Sequence, residues 1–130
     1  IKQRDFLKEV INEFQGIGIR TSIFVEPDEK MVEGAKATGT NRIELYTEAY
    51  AKNYQQNPEK AIAPYLKAAK VANKLDIGIN AGHDLNLVNT AFFAKKIPQL
   101  LEVSIGHALV CESLYLGFEN VIPMYLQRLS

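Results

Sequence analysis

The chain has little of the chemistry that disulfides, metal clusters and nucleic-acid interfaces need. Cys111 is its only cysteine, so no disulfide can form within it and no thiol cluster can hold a metal. Basic and acidic residues number 15 each, so no basic field is present to attract nucleic acid. The longest apolar runs are far too short to cross a bilayer. We therefore expect a cytoplasmic protein that binds neither nucleic acid nor a membrane.

Histidine is also scarce, and both histidines follow a glycine after a short β-like run. They are His83 in "INAGHDLN" and His107 in "SIGHALV". Since the sequence contains no Walker loop, dinucleotide fingerprint or zinc motif, it indicates no cofactor and no metal. Cys111 is predicted to be a small buried residue of a helix rather than a nucleophile. Chemistry must then come from groups such as imidazole, which exchanges protons near neutral pH.

β-like runs alternate with helical patterns along the chain. A helix is predicted at 5–14, where apolar side chains share one face. Strands are predicted at 20–26, 41–46, 76–80 and 101–105, and helices after them at 27–39, 57–73, 86–96 and 107–127. Pro64 should kink the third of these helices or delay its start, and the last should break near Gly117 and Pro123. The polar segment that leads to Asn57 has no predicted element.

Strands that alternate with helices indicate an α/β fold with a parallel sheet. Four such units could form a small doubly wound domain, or half of a (β/α)8 barrel, which takes about 250 residues. The leading helix, which has no strand of its own, favours the half-barrel. We also interpret the start at Ile1, just before a helix pattern, as a sign of a fragment. Half a barrel should have two open sheet edges and an unfilled interior.

Polar side chains cluster where the predicted strands end, which is where reactive groups gather in parallel α/β folds. These residues are Glu26, Tyr46, Thr47, Asn80, His83 and His107. Within "RIELY", Glu44 alternates with Ile43 and Leu45 and so faces away from both. On the inward face of a barrel, Glu44 would point at a ligand. The alternative is a partly exposed acid paired with a nearby lysine or arginine.

His83 is the candidate acid–base residue. The Ala81-Gly82 lead lets the backbone turn tightly beside a ligand, and Asp84 is placed to fix the imidazole or to favour its protonated form. Gly106-His107 lies where a strand passes into a helix, and free N–H groups at a helix start bind phosphate. The alternatives are a surface-loop histidine and an ordinary strand–helix turn capped by histidine.

These runs together resemble a known family. "INAGHDLNLVN" followed by "VSIGHALV" is similar to the end of the pyridoxine 5'-phosphate synthase family, which forms the ring in the deoxyxylulose-dependent vitamin B6 pathway. "TSIFVEPDE" and "RIELYTEAYA" match two earlier strands in the same order. The resemblance covers essentially the whole chain. It implies a (β/α)8 TIM barrel of which residues 1–130 are the carboxyl-terminal half, strands five to eight of a single domain, with the amino-terminal half absent.

The resemblance also implies an activity and roles for individual residues. Members condense 1-deoxy-D-xylulose 5-phosphate with 3-amino-2-oxopropyl phosphate to pyridoxine 5'-phosphate, phosphate and water, by acid–base catalysis without a cofactor or metal. Carried over by motif, His83 is the proton donor and Glu44 the transition-state stabiliser. Asp84, Gly106 and His107 are substrate-binding residues. The family further implies a homo-oligomer, an octamer.

The sequence departs from the family pattern at three positions. "YTEAYA" stands where "HTG" is commoner, so Tyr46 replaces a histidine and Glu48 a glycine. Asp84 stands where glycine is frequent. Since a carboxylate beside a phosphate is unfavourable, Asp84 should make that contact through its backbone N–H, with its carboxylate turned away. The family's other acid–base histidine and glutamate belong to the absent half.

Two other functions remain open on the residues alone. The first is another TIM-barrel isomerase or aldolase that acts on phosphorylated sugars. A Schiff-base aldolase would need a lysine on a strand, and none of the predicted strands has one. The second is a non-catalytic phosphate-binding domain of flavodoxin type, which would not require Glu44 and His83 to converge.

Overall fold

The computed structural model describes residues 3–130, and in them seven helices alternate with four strands. In chain order these are α1 Arg4–Gly16, β1 Ser22–Val25, α2 Glu29–Lys36, β2 Arg42–Tyr46, α3 Glu48–Tyr54, α4 Pro58–Lys74, β3 Gly78–Gly82, α5 Thr90–Lys96, β4 Leu100–Ser104, α6 His107–Leu116 and α7 Phe118–Leu129. The leading helix and the four β–α units are those that the sequence predicts. None of the helices described is long and apolar enough to cross a membrane.

The four strands form one parallel sheet in the order β1-β2-β3-β4. A doubly wound sheet requires the strand order to reverse at a switch point. Within residues 3–130 each strand instead pairs with the next strand in sequence, as in a barrel wall. The doubly wound alternative, and with it the flavodoxin-like domain, is therefore wrong.

The two faces of the sheet have different chemistry. The face that packs against the helices carries apolar side chains, among them Ile43, Leu45, Ile79 and Ala81, all fully buried. The opposite face, called here the inner face, carries Arg42, Glu44 and Tyr46 from β2, which are only partly buried. On β1 the inner-face residue Phe24 is 52% exposed. Since parallel sheets are normally covered on both faces, this sheet resembles a barrel wall seen from an open lumen.

Two helices begin at capping residues that are recognisable in the sequence. Asn57 caps α4 by accepting a hydrogen bond from the Lys60 N–H at 2.9 Å, and Pro58 occupies the first turn. Asp28 caps α2 in the same way, so this helix begins after Pro27 rather than at it. Pro64 does not delay α4, because the capped start at Asn57 already fixes where the helix begins.

The predicted break of the last helix is half right. It occurs at Gly117, whose φ of 82° favours glycine, and separates α6 from α7. The break near Pro123 is wrong, since α7 continues through Pro123, the sixth of its twelve residues, although proline cannot donate the hydrogen bond to the Glu119 carbonyl. Cys111 is exposed on α6 rather than buried. No α6 side chain is fully buried among residues 3–130. The apolar sequence of this helix therefore does not correspond to a buried helix.

Helix α3 was missed because its sequence is short and polar. Tertiary contacts stabilise it instead. Tyr50 is fully buried, and its ring packs edge-on against Phe93 with centroids 4.9 Å apart. The Tyr50 hydroxyl donates to the Asn89 carbonyl at 2.7 Å, and the Tyr50 N–H donates to the Tyr65 hydroxyl at 3.2 Å. Burial raises the pKa of Tyr50 well above its ordinary value. Helix α3 is thereby tied to the loop that follows β3.

Replacing Tyr50 by Phe should destabilise the intact protein by about 1 kcal/mol, because the Asn89 carbonyl loses the shorter of its two hydrogen bonds while the Phe93 N–H and the packing remain. Urea unfolding of the intact protein measures the effect. The matched control is Tyr115→Phe, since Tyr115 is 90% exposed and should change stability by less than about 0.5 kcal/mol. Equal midpoints for the two variants would contradict the role given to this hydrogen bond.

Candidate active site

The register of the sheet aligns the predicted site residues in layers on the inner face. Glu44 of β2 lies opposite Asn80 of β3, and one layer closer to the strand ends Tyr46 lies opposite Gly82. Gly82 in turn lies opposite Ser104 of β4. The carboxyl ends of β2, β3 and β4 therefore open at one edge, which we call the strand mouth.

Glu44 faces the inner side, as its alternation with Ile43 and Leu45 predicts, and its carboxylate reaches the strand mouth. A Cβ placed on Gly82 would overlap Glu44 Oε1 and would lie 3.0 Å from Ser104 Cβ. Only glycine at position 82 leaves space for this carboxylate. Since His83 follows Gly82 directly, the Glu44 carboxylate and the His83 segment meet at the same point.

An ion-pair network joins the polar side chains beside and below Glu44 on the inner face. Arg42 Nη1 lies 2.8 Å from Glu102 Oε1 and 3.1 Å from Asn80 Oδ1. Arg20 Nη2 lies 3.0 Å from Glu102 Oε2, which also accepts from Asn80 Nδ2 at 2.9 Å. Desolvation acts to raise the pKa of Glu102, but the hydrogen bonds and charges of the two arginines outweigh it and lower that pKa.

Glu44 stays outside this network. Among residues 3–130 its carboxylate makes no hydrogen bond and no ion pair, although its neighbours in the same layer are all paired. Within residues 3–130, the alternative that Glu44 is paired with a lysine or arginine is therefore not observed. A half-buried carboxylate without a partner has its acceptor capacity free for a ligand.

His83 projects from the end of β3 with an unusual backbone. His83 and Asp84 have φ angles of 89° and 59°, which non-glycine residues adopt at a cost that surrounding contacts must offset. The His83 imidazole is about half exposed, and its Nδ1 lies 3.2 Å from Asp84 Oδ2. The Asp84 carboxylate thus occupies the Nδ1 side of the ring, and Nε2 has no hydrogen-bond partner among residues 3–130.

Thr47 holds this strained segment in place. Its hydroxyl donates to the Gly82 carbonyl at 2.7 Å and also contacts the His83 carbonyl, while its N–H donates to the Gly82 carbonyl at 2.9 Å. The sequence shows Thr47 only as one of several polar residues after β2. Its alternation with Leu45 places it on the helix-facing side, where a fully buried hydroxyl needs a partner, and that signal could have found this role.

Tyr46 contacts the imidazole from the neighbouring strand. The Tyr46 and His83 rings meet edge to face with centroids 4.6 Å apart. The Tyr46 hydroxyl donates to the Glu48 carboxylate, which also forms an ion pair with Lys52 one helical turn later. The hydrogen bond to Glu48, followed by burial, raises the pKa of Tyr46 to about 12. The hydrogen bonds from Lys52 and Tyr46 lower the pKa of Glu48.

Gly106 and His107 stand at the start of α6, two and three residues beyond Ser104. The first hydrogen bond of this helix runs from the Val110 N–H to the Gly106 carbonyl, so the preceding N–H groups have no acceptor within the helix. The space beside the Gly106 Cα is open for at least 4 Å. Within residues 3–130 no three His, Cys, Asp or Glu side chains come together as a possible metal site.

Comparison with known proteins agrees with this geometry. The family described as "Pyridoxal phosphate biosynthesis protein PdxJ" matches residues 1–130. The chain belongs to this family. The chain is similar to the pyridoxine 5'-phosphate synthases of Flavobacterium johnsoniae, with 63% identity over 130 residues, and of Christiangramia forsetii, with 56% identity over 130 residues. Each match covers 100% of this chain and 55% of the relative.

A third relative, the pyridoxine 5'-phosphate synthase of Bacteroides fragilis, is 57% identical over 121 residues, which are 93% of this chain and 51% of that protein. The chain thus spans about half the length of the curated relatives that it matches. The predicted fold class, α/β with about half of a (β/α)8 barrel, is confirmed by the parallel sheet together with family membership.

Replacing Gly82 by Ala should destabilise the intact protein by about 1–3 kcal/mol, because the added methyl group overlaps the Glu44 carboxylate. Adding Glu44→Ala to Gly82→Ala should restore part of that loss, since it removes the overlapping atoms. Urea unfolding of the single and double variants measures the coupling. Gly16→Ala is the control, because nothing lies within 4 Å of its added Cβ. Additive losses would show that the two residues do not meet.

Proposed function

We propose that the protein to which this chain belongs is a pyridoxine 5'-phosphate synthase. It would condense 1-deoxy-D-xylulose 5-phosphate with 3-amino-2-oxopropyl phosphate to pyridoxine 5'-phosphate, phosphate and water. Family membership and the names of the similar proteins support the reaction. Because the chain spans about half the length of those relatives, the proposal concerns the intact barrel, of which residues 1–130 would be the carboxyl-terminal half.

The observation that carries the proposal is that the unpaired Glu44 carboxylate lies against Gly82, the residue directly before the half-exposed imidazole of His83. Glu44 reaches over Gly82, and His83 follows on the same strand end with Nε2 free. Ring formation with loss of water and phosphate needs several proton transfers around one bound intermediate. A carboxylate and an imidazole that face one space from adjacent strands can serve successive transfers on that intermediate.

The roles of the two groups follow from their surroundings. His83, exposed at the mouth and held on its Nδ1 side by Asp84, would donate a proton through Nε2 to a departing oxygen. Glu44, anchored within β2 and free of partners, would stabilise positive charge that develops on the substrate in the transition state. Neither step calls for a metal or an organic cofactor. A Schiff-base aldolase is less well supported, because none of the four strands described carries a lysine.

The phosphate of the amino-ketone substrate would bind at the start of α6, on the N–H groups that follow Gly106 and beside His107. Asp84 would contribute its backbone N–H, which has no acceptor among residues 3–130. Its carboxylate is turned to His83 and so away from the phosphate. In this arrangement the Asp84 carboxylate does not repel the substrate phosphate, although Asp84 binds it. The intact protein would be a cytoplasmic homo-oligomer.

Replacing His83 by Ala in the intact protein should lower kcat by about 10²–10⁴-fold, the usual contribution of general acid–base catalysis. The two phosphorylated substrates are supplied and pyridoxine 5'-phosphate is followed by its absorbance. The melting temperature should stay close to that of the unaltered protein, since the imidazole is about half exposed and its contacts are with the partly exposed Tyr46 and Asp84.

Tyr115→Phe serves as the control for this assay, because Tyr115 is almost fully exposed and lies on α6 away from the strand mouth. Unaltered kcat in His83→Ala would remove the proton-donor role. Failure of the unaltered intact protein to form pyridoxine 5'-phosphate would reject the proposed reaction as a whole.

A further inference from the structure

We infer that Tyr46 and Glu48, with Lys52, form a positioning unit that fixes the orientation of the His83 imidazole during proton transfer. This inference deepens the proposed function and rests on it for its catalytic meaning. The three residues are contiguous in space, although they come from a strand and the helix after it. These three residues are called the Tyr46 relay, and the name implies no proton transfer among them.

The first support is the position of Tyr46. Tyr46 is the last residue of β2 and occupies the inner face opposite Gly82, the residue before His83. Its ring meets the His83 ring edge to face at 4.6 Å, and the Phe24 ring also packs against it with centroids 5.3 Å apart. Aromatic pairs of this geometry attract each other and resist rotation. The imidazole therefore has a defined wall on the side that faces β2.

The second support is that Tyr46 itself cannot turn freely. Its hydroxyl donates to the Glu48 carboxylate, and Lys52 pairs with the same carboxylate one turn further along α3. An aromatic ring that is fixed at its hydroxyl and packed against two other rings has little freedom to turn. Glu48 is less exposed than Lys52, with side-chain exposures of 29% and 68%, so the carboxylate is the shielded centre of the chain.

The third support is the protonation state of the relay. The Glu48 pKa lies below its ordinary value of 4.5, and the Tyr46 pKa is raised to about 12. The charges that face Tyr46 are those of Glu48, Asp84 and Glu26, all acidic, and they favour the neutral phenol. Between the two pKa values, a range that includes neutral pH, Glu48 is ionised and Tyr46 is protonated. The hydrogen bond is thus intact wherever the enzyme would work.

The fourth support is that His83 is also held at its Nδ1 and at its backbone carbonyl. Asp84 lies against Nδ1, and Thr47 holds the His83 carbonyl, so the backbone and one ring nitrogen are fixed. Rotation about the side-chain bonds is the freedom that remains. The Tyr46 ring restricts that rotation. A general acid that is misplaced by about 1 Å can lose about 10²-fold in rate, so such restriction has catalytic value.

The test uses the intact protein with Tyr46→Phe, Glu48→Gln and Tyr46→Ala. Phe keeps the ring but loses the bond to Glu48, Gln removes the charge, and Ala removes the wall. We expect kcat to fall about 10-fold for the first two and about 10²-fold for Tyr46→Ala, with KM within about twofold in all three. A loss confined to kcat is the mark of positioning, because a substrate contact would raise KM.

Glu59→Gln is the matched control, since Glu59 also pairs with a lysine, Lys96 at 2.7 Å, but on α4 and α5 and away from His83. It should leave kcat and KM unchanged. Unchanged kcat in both Tyr46→Phe and Glu48→Gln would overturn the inference, as would an equal loss in Glu59→Gln or a rise in KM alone.

An NMR measurement separates this inference from the proposed reaction. The imidazole carbon and nitrogen signals of His83, assigned by their loss in His83→Ala, should report one ring orientation in the unaltered protein. In Tyr46→Phe and Glu48→Gln they should broaden or double, while Glu59→Gln leaves them unchanged. If the unaltered protein makes no pyridoxine 5'-phosphate but the signals respond in this way, the reaction fails and the positioning unit stands. If turnover occurs and the signals do not respond, the positioning unit fails.

Discussion

The pairing of β2 with β3 is the constraint on which the candidate site depends. It sets Glu44 beside Asn80 and Tyr46 beside Gly82, so one register decides which side chains meet at the strand mouth. A shift by one residue would turn Glu44 and Tyr46 into the helix layer and bring Ile43 and Leu45 into the lumen. The burial of those two apolar residues holds the register, since exposing both would forfeit about 1.5–3 kcal/mol for each side chain. The apolar layer therefore fixes the position of the polar one.

Most charged groups of the inner face are paired with one another, whereas Glu44 is not. Arg20, Arg42, Asn80 and Glu102 satisfy one another, which offsets the cost of removing them from water. That network supports the sheet below the mouth and leaves no cation in contact with Glu44. If either arginine turned towards Glu44, the carboxylate would be neutralised and unavailable to a substrate. Because Glu102 and Asn80 hold the two arginines, the Glu44 carboxylate keeps its charge available for a substrate.

Part of this arrangement could be predicted from the sequence, and the reason differs from residue to residue. The inward direction of Glu44 follows from strand alternation, and the start of α4 follows from Asn57-Pro58, because both signals are local. Helix α3 could not be predicted, since its stability comes from Tyr50 packed against Phe93, which is 43 positions away in sequence. The exposure of Cys111 and the continuity of α7 through Pro123, between the buried Val121 and Tyr125, likewise depend on tertiary surroundings rather than composition.

The positive φ angles of His83 and Asp84 show why the site needs support from outside its own loop. Residues in that region store strain, which persists only where surrounding contacts determine the backbone. Thr47 supplies such contacts to the Gly82 and His83 carbonyls, and it directly follows β2, the strand that supplies Glu44 and Tyr46. β2 and the residue directly after it thus provide the carboxylate, the aromatic wall and the backbone anchor. Because all three move together, the distance between Glu44 and His83 is set by a single strand pairing rather than by the flexibility of a loop.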